Sequence, residues 1–132
     1  MKTMEVYRCS HCGLQLEVTA GAEVPPPVCC GEPMKLQTAN TVDAAKEKHV
    51  PVLEALEDGV LVKVGAVEHP MLENHYIEWI EIINGSYVNR FYLRPGDRPQ
   101  AAFYVSQSPK LVVRISCNIH GIWQMPPRDA QA

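Results

Sequence analysis

Leu111-Val112-Val113-Arg114-Ile115-Ser116-Cys117-Asn118-Ile119-His120-Gly121 reads as a strand that ends on two metal-seeking side chains. Leu111, Val113 and Ile115 alternate with Val112, Arg114 and Ser116, which is the period of two expected of a half-buried strand. Cys117 continues the apolar face, so alone it would be a small buried hydrophobe. His120 stands three residues on, between the strand-breaking Asn118 and Gly121. One strand end thus delivers a thiolate and an imidazole together.

The chain upstream repeats the β pattern from His49 onward. Val60, Val62 and Val64 alternate, Tyr76 to Ile83 is rich in strand formers, and Tyr87 to Leu93 and Ala102 to Val105 follow. Asn84-Gly85 and Arg94-Pro95-Gly96-Asp97-Arg98-Pro99 divide these runs with turn residues. Many short strands and no sustained helical period predict an all-β chain with an antiparallel β-sandwich. Thr38 to Lys46 is small and polar and reads as a linker. It separates a domain over residues 1–37 from one over residues 38–132.

The first domain has its own logic. Glu5 to Arg8 reads as a short strand leading into Cys9-Ser10-His11-Cys12-Gly13, and Leu14, Leu16 and Val18 mark a second. Pro25-Pro26-Pro27 precludes regular structure, and Cys29-Cys30-Gly31-Glu32-Pro33-Met34 closes the unit. So short a segment has almost no core and needs a staple. Cys9 and Cys12 can share one ion from a single turn. Cys29 and Cys30 are adjacent, so both reach it only where the backbone bends. Four thiolates suit zinc or iron. His11 reads as a surface residue.

The totals agree with a metalloprotein in a reducing compartment. Five cysteines, four of them in the first thirty residues, fit metal sites better than disulfides. A net charge of −3 without a basic run argues against nucleic acid or an anionic membrane as partner. The stretch MKTMEVYRC has no apolar h-region, and no apolar run approaches ~18 residues, so the expected location is cytoplasmic.

Each remaining histidine has a bland reading. His49 alone is an exposed loop residue, His69 before Pro70 a turn residue, and His75 a half-buried strand opener. Taken with Cys117 and His120, they make five nitrogen and sulfur ligands. Structural zinc stops at four; five, with a sixth position open, suit iron acting on a small molecule. A thiolate opposite the open position pushes electron density through the metal. Lys48, beside His49, places a positive charge near that position. A competing reading takes Cys117, His120 and Met125 with one upstream histidine as a blue-copper electron-transfer site. It leaves two histidines and the four N-terminal cysteines without a task.

Together these segments resemble the desulfoferrodoxin family, the two-iron form of superoxide reductase. The likeness rests on Glu5-Val6-Tyr7, Cys9-x-x-Cys12-Gly13, Cys29-Cys30-Gly31-Glu32-Pro33-Met34, Glu47-Lys48-His49-Val50-Pro51, His69-Pro70-Met71, His75-x-Ile77-Glu78-Trp79-Ile80-Glu81, Pro95-Gly96 and Cys117-Asn118-x-His120-Gly121. The resemblance implies a desulforedoxin-like first domain with one iron held by the four thiolates of Cys9, Cys12, Cys29 and Cys30. It implies an immunoglobulin-like second domain with a second iron held by four imidazoles and one thiolate, His49, His69, His75 and His120 equatorial and Cys117 axial. It further implies that Glu47 fills the sixth position of the ferric resting state. Lys48 would attract superoxide and assist protonation. The implied activity is one-electron reduction of superoxide to hydrogen peroxide without release of dioxygen, with rubredoxin or a similar electron donor and a homodimeric assembly.

Overall fold

The computed structural model describes residues 1–41 and 49–126. It divides into two compact units, Met1–Thr38 and Ala39–Ala132. Among the described residues every regular element is a strand and every named strand pair is antiparallel.

In the first unit β1 (Val6–Arg8) lies between β2 (Gln15–Glu17) and β5 (Lys35–Leu36). A second ribbon pairs β3 (Val28–Cys29) with β4 (Glu32–Pro33) across the two-residue turn Cys30-Gly31. Both turn residues are left-handed, with φ of +52° and +78°. This is the bend that the vicinal cysteines require, and Gly31 takes it without a Cβ penalty. Cys30 takes it at a cost of about 1–2 kcal/mol. The apolar centre is small: Tyr7, Cys9 and Met34 with Met1, Val18 and Cys29 against them, and buried Val6. A core this small leaves the unit dependent on whatever holds its cysteines together.

Among its described residues the second unit has seven strands in two sheets. β10 (Gln100–Phe103), β7 (Gly59–Val64) and β6 (Pro51–Leu56) form one, in that order. β12 (Gly121–Gln124), β11 (Val112–Cys117), β8 (Ile77–Asn84) and β9 (Tyr87–Tyr92) form the other. Their inner faces meet in one core of Val60, Val62, Val64, Ile80, Ile82, Phe103, Val113, Ile115 and neighbours, the architecture of an immunoglobulin-like sandwich. Full burial of each Val or Ile contributes about 1.5–3 kcal/mol.

Several expectations shift in detail. The strand read as Ala102 to Val105 lies at Gln100–Phe103. β6 and β12 were not anticipated: β6 is an edge strand with mostly exposed side chains, and β12 is only four residues long. The supposed linker is partly structural, because Asn40 bridges to Trp123 at the edge of β12. His75 does not open a strand; it closes a tight turn with Leu72, and β8 begins at Ile77.

A β-bulge positions the chemistry. The register between β11 and β8 runs Ser116↔Trp79 and then Cys117↔Ile77, leaving Glu78 as the extra residue. Simple alternation would place His75, Ile77, Trp79 and Glu81 on one face. The bulge moves Ile77, and the chain leading back to His75, to the side of Cys117. Trp79 and Glu81 stay on the outer face, where Glu81 is fully buried between Arg90 and Arg114.

Candidate metal centres

In the first unit, the turn from Cys9 to Gly13 and the β3–β4 hairpin converge. The four sulfurs of Cys9, Cys12, Cys29 and Cys30 lie within 4.8 Å of one another. Cys12 and Cys29 Sγ are 3.6 Å apart, and Cys29 and Cys30 Sγ 3.9 Å. These are non-bonded distances, and none of the five cysteines forms a disulfide. A tetrahedron of sulfurs about 2.3 Å from one ion has edges of about 3.8 Å, so the donor set fits such an ion. The thiols also hold one another unequal. The backbone N–H groups of Cys12 and His11 lower Cys9 to about 6. Hydrogen bonding to the Cys12 sulfur pushes Cys29 up to about 12 and raises Cys30. Four thiolates this close repel, and a shared cation is what would let all four ionise. His11 points away to Glu32, with Nε2 2.9 Å from the carboxylate, and half its side chain is exposed.

In the second unit, four imidazole rings form a closed square. His49 meets His69 at 4.6 Å between ring centres, His69 meets His75 at 4.8 Å, His75 meets His120 at 5.0 Å, and His120 meets His49 at 4.9 Å. All four contacts are edge-on, with interplanar angles of 63–81°. The ligand atoms of His49, His69, His75 and Cys117 lie within 4.8 Å of one another. His49 Nε2 is 3.1 Å from His120 Nδ1. Two nitrogens at right angles around one centre, each about 2.1 Å away, would be about 3.0 Å apart. Cys117 Sγ lies 3.7 Å from His69 Nε2 and 3.8 Å from His120 Nδ1. Cys117, His69 and His49 are 0, 2 and 4 % exposed, whereas His120 is exposed. The thiol side is therefore buried in the sandwich, and solvent reaches the square at His120.

Surrounding groups fix these side chains. His69 Nδ1–H donates to the Pro70 carbonyl at 2.7 Å, which turns Nε2 inward. The His120 N–H donates to Cys117 Sγ at 3.5 Å. Asn118 Oδ1 accepts the Tyr76 N–H at 2.9 Å, and its Nδ2–H donates to Asn74 O at 3.2 Å, tying the Cys117–Gly121 turn to the His75 segment. Asn118 and Trp123 were not singled out as site residues, and the Asn in Cys-Asn-x-His was the only signal for either. Asn118→Ala should lower stability by about 1–3 kcal/mol through two lost hydrogen bonds, checked by the urea midpoint.

Glu47 and Lys48 lie outside the described residues. The copper reading fails on register. Cys117 pairs with Gly121, and β12 then runs back along β11 until the Met125 N–H bonds Val113 O. Met125 is thus carried about 13 Å from Cys117 at ~3.3 Å per residue, and it packs on the core. Four imidazoles, rather than two and a thioether, surround the thiol.

Known proteins resemble this chain in sequence and fold. The sequence model of the Desulfoferrodoxin family matches residues 41–126, and that of the "Desulfoferrodoxin, N-terminal domain" matches residues 1–37. A desulfoferrodoxin of Syntrophotalea carbinolica is 53% identical over 122 residues, covering 91% of this chain and 94% of the relative. A superoxide reductase of Pyrococcus horikoshii is 34% identical over 109 residues, covering 69% of this chain and 95% of its own. The crystal structure of the superoxide reductase from Treponema pallidum superposes with a TM-score of 0.72 at 26% identity, covering 94% of this chain and 98% of that one. Matches to both halves and half-identity along nearly the whole length lead to one conclusion: this chain belongs to the desulfoferrodoxin family.

Proposed function

We propose that this chain is a superoxide reductase, converting superoxide to hydrogen peroxide by one electron and releasing no dioxygen. The observation that carries the reading is the closed square of four imidazoles around a buried thiol, with solvent reaching it at His120. His49, His69, His75, His120 and Cys117 are assigned to one iron, and Cys9, Cys12, Cys29 and Cys30 to a second. Residues 1–37 form the desulforedoxin-like iron domain and residues 38–132 the catalytic sandwich. When bound, the His/Cys iron supplies the single electron and a Lewis-acid position for a small oxygen anion.

The chain's own residues do the rest. Cys117, sealed in the core, presents its sulfur from the side opposite solvent and is shielded from competing water. The two buried imidazoles hold their rings rigid, while exposed His120 borders the entry side. Lys48, which directly precedes His49 in the sequence, is assigned the positive charge that attracts the anion and assists protonation through water. Its pull is local, since screening fades charge effects beyond about 8–10 Å, and so it outweighs a net charge of −3. Glu47, two residues before His49 in the sequence, would supply a carboxylate ligand to that iron between turnovers. A one-electron donor such as rubredoxin restores the reduced state, a role in electron transport and detoxification. The assignment includes a homodimer in the cytoplasm.

Metal analysis with absorption spectroscopy tests the site. Two irons per chain with distinct visible bands are expected, and one copper with a single intense thiolate band would contradict the reading. Lys48→Ala is expected to slow the second-order reaction with superoxide roughly tenfold in pulse radiolysis. An unchanged rate would return Lys48 to a solvated surface lysine.

A further inference from the structure

We propose that Trp123 is a positioning residue that sets one edge of the imidazole square, the edge between His49 and His120. This rests on the iron assignment above. The Trp123 ring stacks face to face on His49, with centres 4.5 Å apart and planes inclined by 14°. Its Nε1–H donates to the His120 carbonyl at 3.0 Å. One side chain therefore touches two neighbouring corners by different means. The stack blocks rotation of the His49 ring, and the hydrogen bond pins the turn that carries His120. Those same two rings make the 3.1 Å nitrogen–nitrogen contact between His49 Nε2 and His120 Nδ1.

Trp123 is itself held from both sides. It pairs with Ile115 on β11, two residues before Cys117. On the other edge Asn40 bridges to it; the Asn40 N–H donates to Ile122 O at 3.0 Å and Asn40 O accepts the Gln124 N–H at 2.8 Å. A large ring on a strand paired along both edges is a rigid backing, and a backing of this kind fixes the orientation of the imidazole it touches. An imidazole anchored through one nitrogen can otherwise swing about that bond.

The test uses the full-length protein loaded with iron at both centres, as wild type, Trp123→Phe and Trp123→Leu. Iron release to a strong chelator is followed at the separate visible band of each centre. Trp123→Leu should release the His/Cys iron about tenfold faster or more, as for lost outer-shell partners generally, with a shifted or broadened thiolate charge-transfer band. The four-cysteine centre of the same molecules should release iron at the wild-type rate. Trp123→Phe keeps an aromatic face and loses the donor, so it should fall between. A wild-type band and release rate at the His/Cys centre in both variants would overturn the proposal. So would equal acceleration at both centres, which marks general destabilisation. Should the leucine variant not fold, the phenylalanine variant decides by the same comparison. A wild-type protein without the thiolate–iron band would instead overturn the site assignment, and this inference with it.

Discussion

Cys117→Ser is expected to abolish the thiolate-to-iron charge-transfer band and to cut the reaction with superoxide by more than about a hundredfold, the upper range seen for loss of outer-shell partners alone. The reason lies in where the sulfur sits. Cys117 ends β11 with no exposed surface, on the buried side of the imidazole square. It accepts the His120 N–H and lies within 3.8 Å of ring nitrogens of His69 and His120. A serine hydroxyl at that depth stays neutral, because ionising an alcohol in an apolar setting costs far more than ionising a thiol. The variant keeps the square and loses the charge and polarisable electrons behind it. The four-cysteine centre, in the other unit, should keep its band, which separates ligand loss from unfolding. A serine variant that retains both band and rate would remove Cys117 from the site.

Glu81→Gln should have the largest effect on stability. Strand register places Arg114, Glu81 and Arg90 in one row across β11, β8 and β9. The Arg90 Nε–H donates to Glu81 Oε1 at 2.9 Å and the Arg114 Nε–H to Oε2 at 2.6 Å. The carboxylate is fully buried, and the two arginine side chains are only 18 and 11 % exposed. Arg90 also sits over the Trp79 ring at 4.3 Å. Removing the Glu81 charge leaves two guanidiniums facing a neutral amide in a largely buried row. Breaking a buried pair in this way costs about 3–5 kcal/mol. For a unit of this size the melting midpoint should fall by at least about 10 °C. A midpoint within error of the wild type would mean that the row is solvated in solution.

Much of this was legible from side-chain order. Alternation in Val60, Val62 and Val64 and in Leu111, Val113 and Ile115 marked the central strands, because those strands are buried on one face and flanked by turns. The Cys-x-x-Cys and Cys-Cys pairs marked a sulfur cluster from composition alone. What could not be read depends on three-dimensional register. The Glu78 bulge has no sequence signature, yet it moves His75 to the thiol side. Met125 follows His120 at a spacing that suits copper, but the β11–β12 hairpin carries it down the sheet. That His49 turns Nε2 inward and His120 turns Nδ1 depends on where Trp123, Pro70 and the Cys117–Gly121 turn stand. Nothing in the local sequence around Glu81 marks the arginine neighbours that register brings to it from two other strands.

The most direct test is the product balance of a single turnover. Fully reduced protein is mixed with a known amount of superoxide while hydrogen peroxide, dioxygen and the oxidation of the His/Cys iron are followed together. A superoxide reductase yields one hydrogen peroxide for each superoxide consumed and each iron oxidised, with no dioxygen. One peroxide for every two superoxides, accompanied by dioxygen and no net oxidation of iron, would mean dismutation and would contradict the central claim.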